Sequence, residues 1–387
     1  MKLPIYLDYN STTPVDYRVL EAMLPYFSEK FGNAASKTHR FGWIAEEAVE
    51  KARSQVAALI NAESSEIIFT SGATEAVNLS LKGSFEAYRS KGNHIITVST
   101  EHKAVLDCCK KLEKQGATVT YLPVNSEGLI ELKELENAIT EKTVLICVMF
   151  ANNEIGVLQP VSKIAEMAHR HSVIFMCDAT QAIGKVKVDV QESHIDLMPL
   201  SAHKIYGPKG AGALYVRRKN PRVSLIAQMD GGGHERNLRS GTLNVPGIIG
   251  LGKACEIAGN ELQLSSKKIR QLRDRLQHGL EKNIPGTRVN GSMAYRLPNT
   301  LNVSFKNTES HVLMKKLINE LAVSSGSACT SAVPEPSYVL KALGLDDKSA
   351  YASVRFSLGK PTTEEEIDYV VKRISAEVEA IRKNVVH

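Results

Sequence analysis

Lys204 stands in the run Ser201-Ala202-His203-Lys204-Ile205-Tyr206-Gly207-Pro208-Lys209-Gly210, directly after the apolar segment Ile195-Asp196-Leu197-Met198-Pro199-Leu200. A lysine at the end of a strand, with a hydroxyl and an imidazole before it and a Gly-Pro turn after it, is placed to form an imine with an aldehyde cofactor. The cofactor's phosphate would lie beside Ser201 and His203, which points to pyridoxal phosphate. Most lysines are solvated surface residues, so the reading depends on what the other strand ends carry.

In open α/β sheets ligands bind outside the carboxyl ends of the strands. After Ile67–Phe69 comes Thr70-Ser71-Gly72-Ala73-Thr74-Glu75, a glycine turn opening a helix, where the backbone N–H groups of Ala73 and Thr74 can hold a phosphate. An ordinary helix cap is the alternative. After Ile95–Val98 comes Ser99-Thr100-Glu101-His102, whose imidazole can stack on a planar ring or shuttle a proton. After Val144–Phe150 comes Ala151-Asn152-Asn153-Glu154, where Asn153 offers an amide to a ring substituent or a substrate carboxylate, and a plain turn reads equally well. After Val173–Cys177 comes Asp178-Ala179-Thr180-Gln181. A carboxylate here can pair with a protonated pyridine nitrogen and make the ring an electron sink, or cap the next helix. Taken together, these groups fit one cofactor. The run from Gly231 to Thr242 adds glycine N–H groups, arginines and hydroxyls suited to an anion. Arg355, in the strand-like Ser353–Ser357, is a candidate for a substrate carboxylate, with a structural salt bridge as the alternative.

The elements that must position these residues read as α/β. Short apolar runs alternate with helical spacing such as Ile44, Ala48, Val56 and Leu59, which predicts a mostly parallel sheet with helices on both faces. Beyond residue 255 the pattern changes to a charged helix, Glu261 to Lys282, a strand-like Asn299–Phe305, a loop around Cys329 and a terminal helix. That last helix opens on the capping box Thr363-Glu364-Glu365-Glu366 and carries Ile367, Val370, Ile374, Val378 and Ile381 on one face. The expected division is a large domain over 15–255 and a smaller α+β domain formed by 1–14 and 256–387.

Composition narrows the function classes. The net charge of +6 is dispersed along 387 residues, which argues against direct nucleic-acid binding. No stretch is long and apolar enough to span a membrane, and the amino terminus has neither signal nor transit character. A cytoplasmic protein is expected. The six cysteines form no C-x-x-C pair and predict no metal site in the enzyme alone. Cys147 and Cys177 lie in apolar runs and read as core thiols. Cys329 sits instead among small polar residues, Ser324-Ser325-Gly326-Ser327-Ala328-Cys329-Thr330-Ser331.

The combination of Ser201-Ala202-His203-Lys204, Asp178-Ala179-Thr180-Gln181, Gly231-Gly232-Gly233-His234-Glu235 and the cysteine run resembles the IscS/NifS type of cysteine desulfurase. These are class V aminotransferase-like, fold-type I pyridoxal-phosphate enzymes. The resemblance spans Tyr6-Leu7-Asp8 to Arg355-Phe356-Ser357-Leu358-Gly359, and the cysteine run is similar to that of the group with a long, mobile catalytic loop. It implies that Lys204 carries pyridoxal 5'-phosphate and removes the α-proton of L-cysteine, and that Asp178 pairs with the ring nitrogen. Gln181 would bond the ring oxygen, and His102 would stack and assist proton transfer. Ala73, Thr74, Ser201, His203 and Thr242, the last from the neighbouring subunit of a homodimer, would hold the phosphate. Asn33, Asn153 and Arg355 would fix the substrate carboxylate. Cys329 would take the sulfur as a persulfide, release L-alanine and pass the sulfur to acceptors for iron–sulfur cluster assembly, with tRNA thiolation as a further destination. The one metal contact implied is transient ligation by Cys329 of a cluster shared with a scaffold protein.

The family commonly has glycine where this chain has Ala202 and proline where it has Ala34, and neither change removes a functional group. Members usually continue past the last helix with a tail that helps dock the scaffold, whereas this sequence closes at Asn384-Val385-Val386-His387. The resemblance therefore carries the desulfurase chemistry further than it carries docking. The rival readings are a C–S lyase yielding pyruvate, a selenocysteine lyase and a non-catalytic sulfur relay.

Overall fold

A continuous apolar run such as Thr143–Cys147 cannot turn one face to water, and in the computed structural model it lies in the middle of a sheet covered on both sides. Residues 2–325 and 335–385 are described. Cys329, with residues 326–334, lies outside the described residues. The strands in chain order are β1 (Ile5–Tyr6), β2 (Ile67–Thr70), β3 (His94–Val98), β4 (Thr118–Leu122), β5 (Thr143–Cys147), β6 (Ile174–Met176), β7 (Leu197–Ser201) and β8 (Gly212–Val216), then β9 (Thr287–Val289), β10 (Thr300–Phe305), β11 (Leu321–Ala322) and β12 (Ser353–Ser357).

Strands β2 to β8 form one sheet in the order β2-β8-β7-β6-β5-β3-β4. Every neighbouring pair from β7 to β4 is parallel, and β8 alone runs against both of its neighbours. It must do so, because the stretch from Ala202 to Ala211 is too short for a parallel crossover. Successive side chains then point to opposite faces. Ile68, Ile95, Leu145 and Leu214 pack with the helices Ala73–Tyr88 and Lys103–Glu113. Ile67, Ile96, Ile146 and Tyr215 pack with Arg40–Leu59 and Val161–Arg170.

Pro199 lies inside β7, where a missing N–H would ordinarily break the ladder. Ala202 N–H donates to Ala211 O, so the bonds to β8 fall at residues 198, 200 and 202. The side of Pro199 without a donor therefore faces β6, whose pairing with β7 is recorded only at Met176–Leu197. The two strands part there, and Asp178 and Ser201 line the space that opens.

The charged helix expected from Glu261 is part of a longer one, Val245–Asn283, capped by Asn244, whose side chain accepts the Gly247 N–H. Its first half contributes Ile248, Leu251 and Ala254 to the sheet core. Its second half contributes Ile269, Leu272, Leu276 and Leu280 to a separate core, with Val303 and Phe305 of β10, Phe356 of β12 and the apolar face of the terminal helix Glu364–Val385. The Thr363–Glu366 capping box is present in both directions. Strands β9, β10 and β12 form a small antiparallel sheet. β1 pairs with β11, Ile5 and Leu7 are buried in the second core, and Asp8 bridges Ser357. No helix among the described residues is long and apolar enough to cross a membrane.

Candidate active site

The carboxyl ends of the parallel strands and the chain segment after β1 enclose a cavity of about 620 Å³, the size of a cofactor pocket. Lys204, in the one-turn helix that follows β7, reaches its floor. Its ammonium donates to the carbonyls of Asn10 at 2.6 Å and Ser11 at 2.7 Å. Burial, reinforced by the Arg355 charge, pulls its pKa down from 10.5 to about 8. Lys204 is thus closer to a free, nucleophilic amine than an exposed lysine is.

Ala73 and Thr74 open the sixteen-residue helix after β2, and no side chain caps its first turn. The orphan N–H groups and the positive end of the helix dipole face the cavity wall beside Ser201 and His203. Burial and the neighbouring lysines, Lys204 first, bring the His203 imidazole down to about 4, so it is neutral at physiological pH. Its Nδ1 lies 3.1 Å from Thr12 Oγ1. His102 caps the helix after β3, where its Nδ1 accepts the Ala104 N–H at 3.1 Å. That bond assigns the proton of the neutral ring to Nε2, and desolvation lowers the imidazole's pKa further toward the neutral form.

Asp178 follows β6, where its Oδ1 accepts the Thr180 N–H at 2.9 Å. Gln181 donates from Nε2 to Asn10 O at 2.9 Å and accepts at Oε1 from Lys185 at 2.7 Å. Arg355, on β12, reaches the cavity from the second core. Its guanidinium donates to Asp8 Oδ1 at 2.6 Å, Ser11 Oγ at 2.9 Å and the Asn153 carbonyl at 3.1 Å. Three buried atoms on the cavity's residues have no partner: Asn153 Oδ1, Thr180 Oγ1 and Arg355 Nε.

Ten residues expected at the site therefore line one cavity: Ala73, Thr74, His102, Asn153, Asp178, Gln181, Ser201, His203, Lys204 and Arg355. Asn33 and Thr242 are not among the residues lining it. Asn33 is exposed, with Oδ1 accepting the Ala35 N–H, and Thr242 is exposed on its loop. The charged side chains of the Gly231–Thr242 run bond to neighbouring elements of the chain. Glu235 is buried against Arg53 with two bonds of 2.8 Å and accepts the Phe69 N–H. Arg236 donates to the Ile67 carbonyl, and Arg239 pairs with Glu75. These side chains tether the loop to β2 and to the phosphate-cradle helix.

A model of the aminotransferase class-V family matches residues 5–370. The cysteine desulfurase IscS of Anaeromyxobacter sp. (strain Fw109-5) is 56% identical over 99% of this chain and 94% of its own length. The chain belongs to the aminotransferase class-V family. Within it, the chain falls in the IscS group of cysteine desulfurases. A solved NifS-like protein matches with a TM-score of 0.91 and 40% identity over 97% of this chain and all of its own. SspA, solved in complex with cysteine, matches with a TM-score of 0.82 and 37% identity over 92% and 99%.

Class-V enzymes of this group depend on pyridoxal 5'-phosphate, and the cavity's donors fit it. An uncapped helix N-terminus suits a phosphate, a buried carboxylate suits a protonated ring nitrogen, and the unpartnered buried atoms mark places where a polar ligand would complete the bonding. Sequence reasoning missed Asp8, Asn10 and Ser11. The signal was available in the polar run Asn10-Ser11-Thr12-Thr13 after β1, had the strand-end rule been carried to the short strand outside the main sheet.

Proposed function

We propose that the protein takes sulfur from L-cysteine, leaving L-alanine and a persulfide on Cys329. The observation that carries this reading is the convergence of ten residues from several elements, nine of them polar, on one cavity with Lys204 at its floor. Pyridoxal phosphate, when bound, supplies an electron sink that weakens the bonds at the substrate's α- and β-carbons. The helix N–H groups of Ala73 and Thr74, with Ser201, His203 and Thr242 of a second copy, would hold the phosphate. Asp178 would keep a proton on the ring nitrogen, Gln181 would donate to the ring oxygen and His102 would stack on the ring.

Lys204, with its lowered pKa, holds the cofactor and then carries the α-proton of the substrate. Arg355 and Asn153, with Asn33, hold the substrate carboxylate. Cys329 as thiolate forms an S–S bond with the substrate sulfur while the C–S bond breaks. The electron pair goes to the alanine carbon, which takes a proton. SspA has been solved in complex with cysteine, which supports cysteine as the substrate here.

On this reading residues 15–255 form the large domain and 1–14 with 256–387 the small one, in keeping with the two cores. The working form is a cytoplasmic homodimer that passes sulfur to acceptors for iron–sulfur cluster assembly, a scaffold protein among them, and for tRNA thiolation. Phe27, Phe31, Phe41 and Trp43 lie close in sequence and are each more than half exposed, as a surface that meets a second copy would be.

The test compares the wild type with Lys204→Ala and Cys329→Ser. Lys204→Ala loses the visible absorption of bound cofactor and all turnover. Cys329→Ser keeps the absorption but forms no persulfide and no alanine beyond background. Normal turnover by Cys329→Ser, or pyruvate formed in proportion to cysteine consumed, overturns the reading.

A further inference from the structure

Lys185 is a second buried amine beside Lys204. Part of the residue reaches the surface, but its ammonium is enclosed, and both lysines border a small void of about 20 Å³ between the cavity floor and the long helix. Its Nζ donates to Gln181 Oε1 at 2.7 Å, and its own carbonyl is held by Ser266 of the helix at 2.6 Å. Burial, with the nearby charges of Lys204 and Arg355, takes its pKa from 10.5 to about 7. A methionine would fill similar space without desolvating a charge.

The geometry shows what the amine does. A side-chain amide can sit in either of two flips, and a neighbour that only donates selects one of them. The protonated Lys185 amine can only donate and the Asn10 carbonyl can only accept, so the two together turn Oε1 toward Lys185 and Nε2 toward Asn10. That nitrogen donates to Asn10 O at 2.9 Å, the same carbonyl that receives the Lys204 amine at 2.6 Å. Lys185, Gln181, Asn10 and Lys204 thus form one bonded chain, with its amide oriented from behind.

We propose that Lys185 is a positioning residue that, with the Asn10 carbonyl, holds the Gln181 amide in the flip whose NH2 is available to the cofactor. The proposal rests on the assignment of Gln181 and Lys204 to pyridoxal phosphate made above. A donor at the ring oxygen favours its ionised form, so losing that donor raises the pH at which the bound cofactor gives up its proton.

The experiment titrates the visible absorption of the cofactor-loaded protein for Lys185→Met, Gln181→Met and the double variant, with folding checked by thermal melting. Lys185→Met is expected to raise the titration midpoint by about one pH unit, equivalent to tenfold in proton affinity. Lys185→Arg, which also only donates, returns it toward the wild-type value. The double variant shifts no further than Gln181→Met alone, because Lys185 acts through that amide. An unchanged midpoint in Lys185→Met overturns the proposal, as does a double variant whose shift is the sum of the two. Should Lys185→Met not fold, Lys185→Leu takes its place under the same criteria. A wild type without visible absorption, or absorption that survives Lys204→Ala, sinks the wider cofactor reading instead.

Discussion

Lys204 pays for its placement in proton affinity. Its amine prefers the uncharged state in the folded protein, so between pH 8 and 10.5 the unfolded chain binds the extra proton. Stability of the cofactor-free protein therefore rises with pH across that window. Lys204→Met removes the penalty, which is on the order of 3 kcal/mol for a shift of this size. Urea unfolding should show the variant stabilised clearly at pH 7 and little at pH 10.5, and equal stabilisation at both would refute the assignment. Arg355 is poised differently, since Asp8 already serves as its counter-ion at 2.6 Å. A lysine cannot reproduce its planar fork. Arg355→Lys should raise KM for cysteine by about tenfold or more, the value of a charged hydrogen bond, while leaving the cofactor absorption in place. Steady-state kinetics beside a spectrum decides it.

At the scale of elements, the phosphate cradle depends on how closely β8 passes the turn before the cradle helix. A Cβ on Gly212 would lie 2.6 Å from the Gly72 Cα, a distance that real structures avoid by moving backbone. Gly212→Ala should destabilise the protein by about 1–3 kcal/mol and weaken cofactor binding by more than about tenfold, as followed by thermal melting and equilibrium dialysis. The sequence is informative about elements where burial is symmetric. β5 and β7 are buried along their whole length and stand out as apolar runs. β4 went unrecognised because it is the sheet's edge, and Thr118, Val119, Thr120 and Tyr121 are only partly covered or exposed. The start of the long helix was also missed, because Val245-Pro246-Gly247 reads as a loop until Asn244 is seen capping it. At the site, residues directly after long strands were legible. Asp8, Asn10, Ser11 and Lys185 were not, because their role comes from contacts with residues far away in sequence.

For the molecule as a whole, the sheet core and the second core, around β10 and β12, share one helix and one thread. The thread is the chain start. Leu7 is fully buried in the second core, and a few residues on Asn10 has its N–H on Ser357, its side chain on Thr300 and Asn299, and its carbonyl on Gln181 and Lys204. Leu7→Ala should cost about 2–5 kcal/mol by opening a cavity, and it should also slow cofactor uptake, since the residue lies three positions from the cavity floor. Stopped-flow absorbance with the apoprotein measures that rate. The same thread sets an order on biosynthesis. Of the contacts made by Ile5 to Asn10, those to Leu321 and Ser357 join only after the long intervening chain has been made. A nascent chain that has already exposed Lys204 holds the Asn10 and Ser11 carbonyls beneath it but still lacks the strand that anchors Asn10 and the guanidinium opposite. Closure of the pocket therefore waits for the strand Ser353–Ser357, and a chain cut short before Arg355 carries its chemistry written but its pocket unclosed.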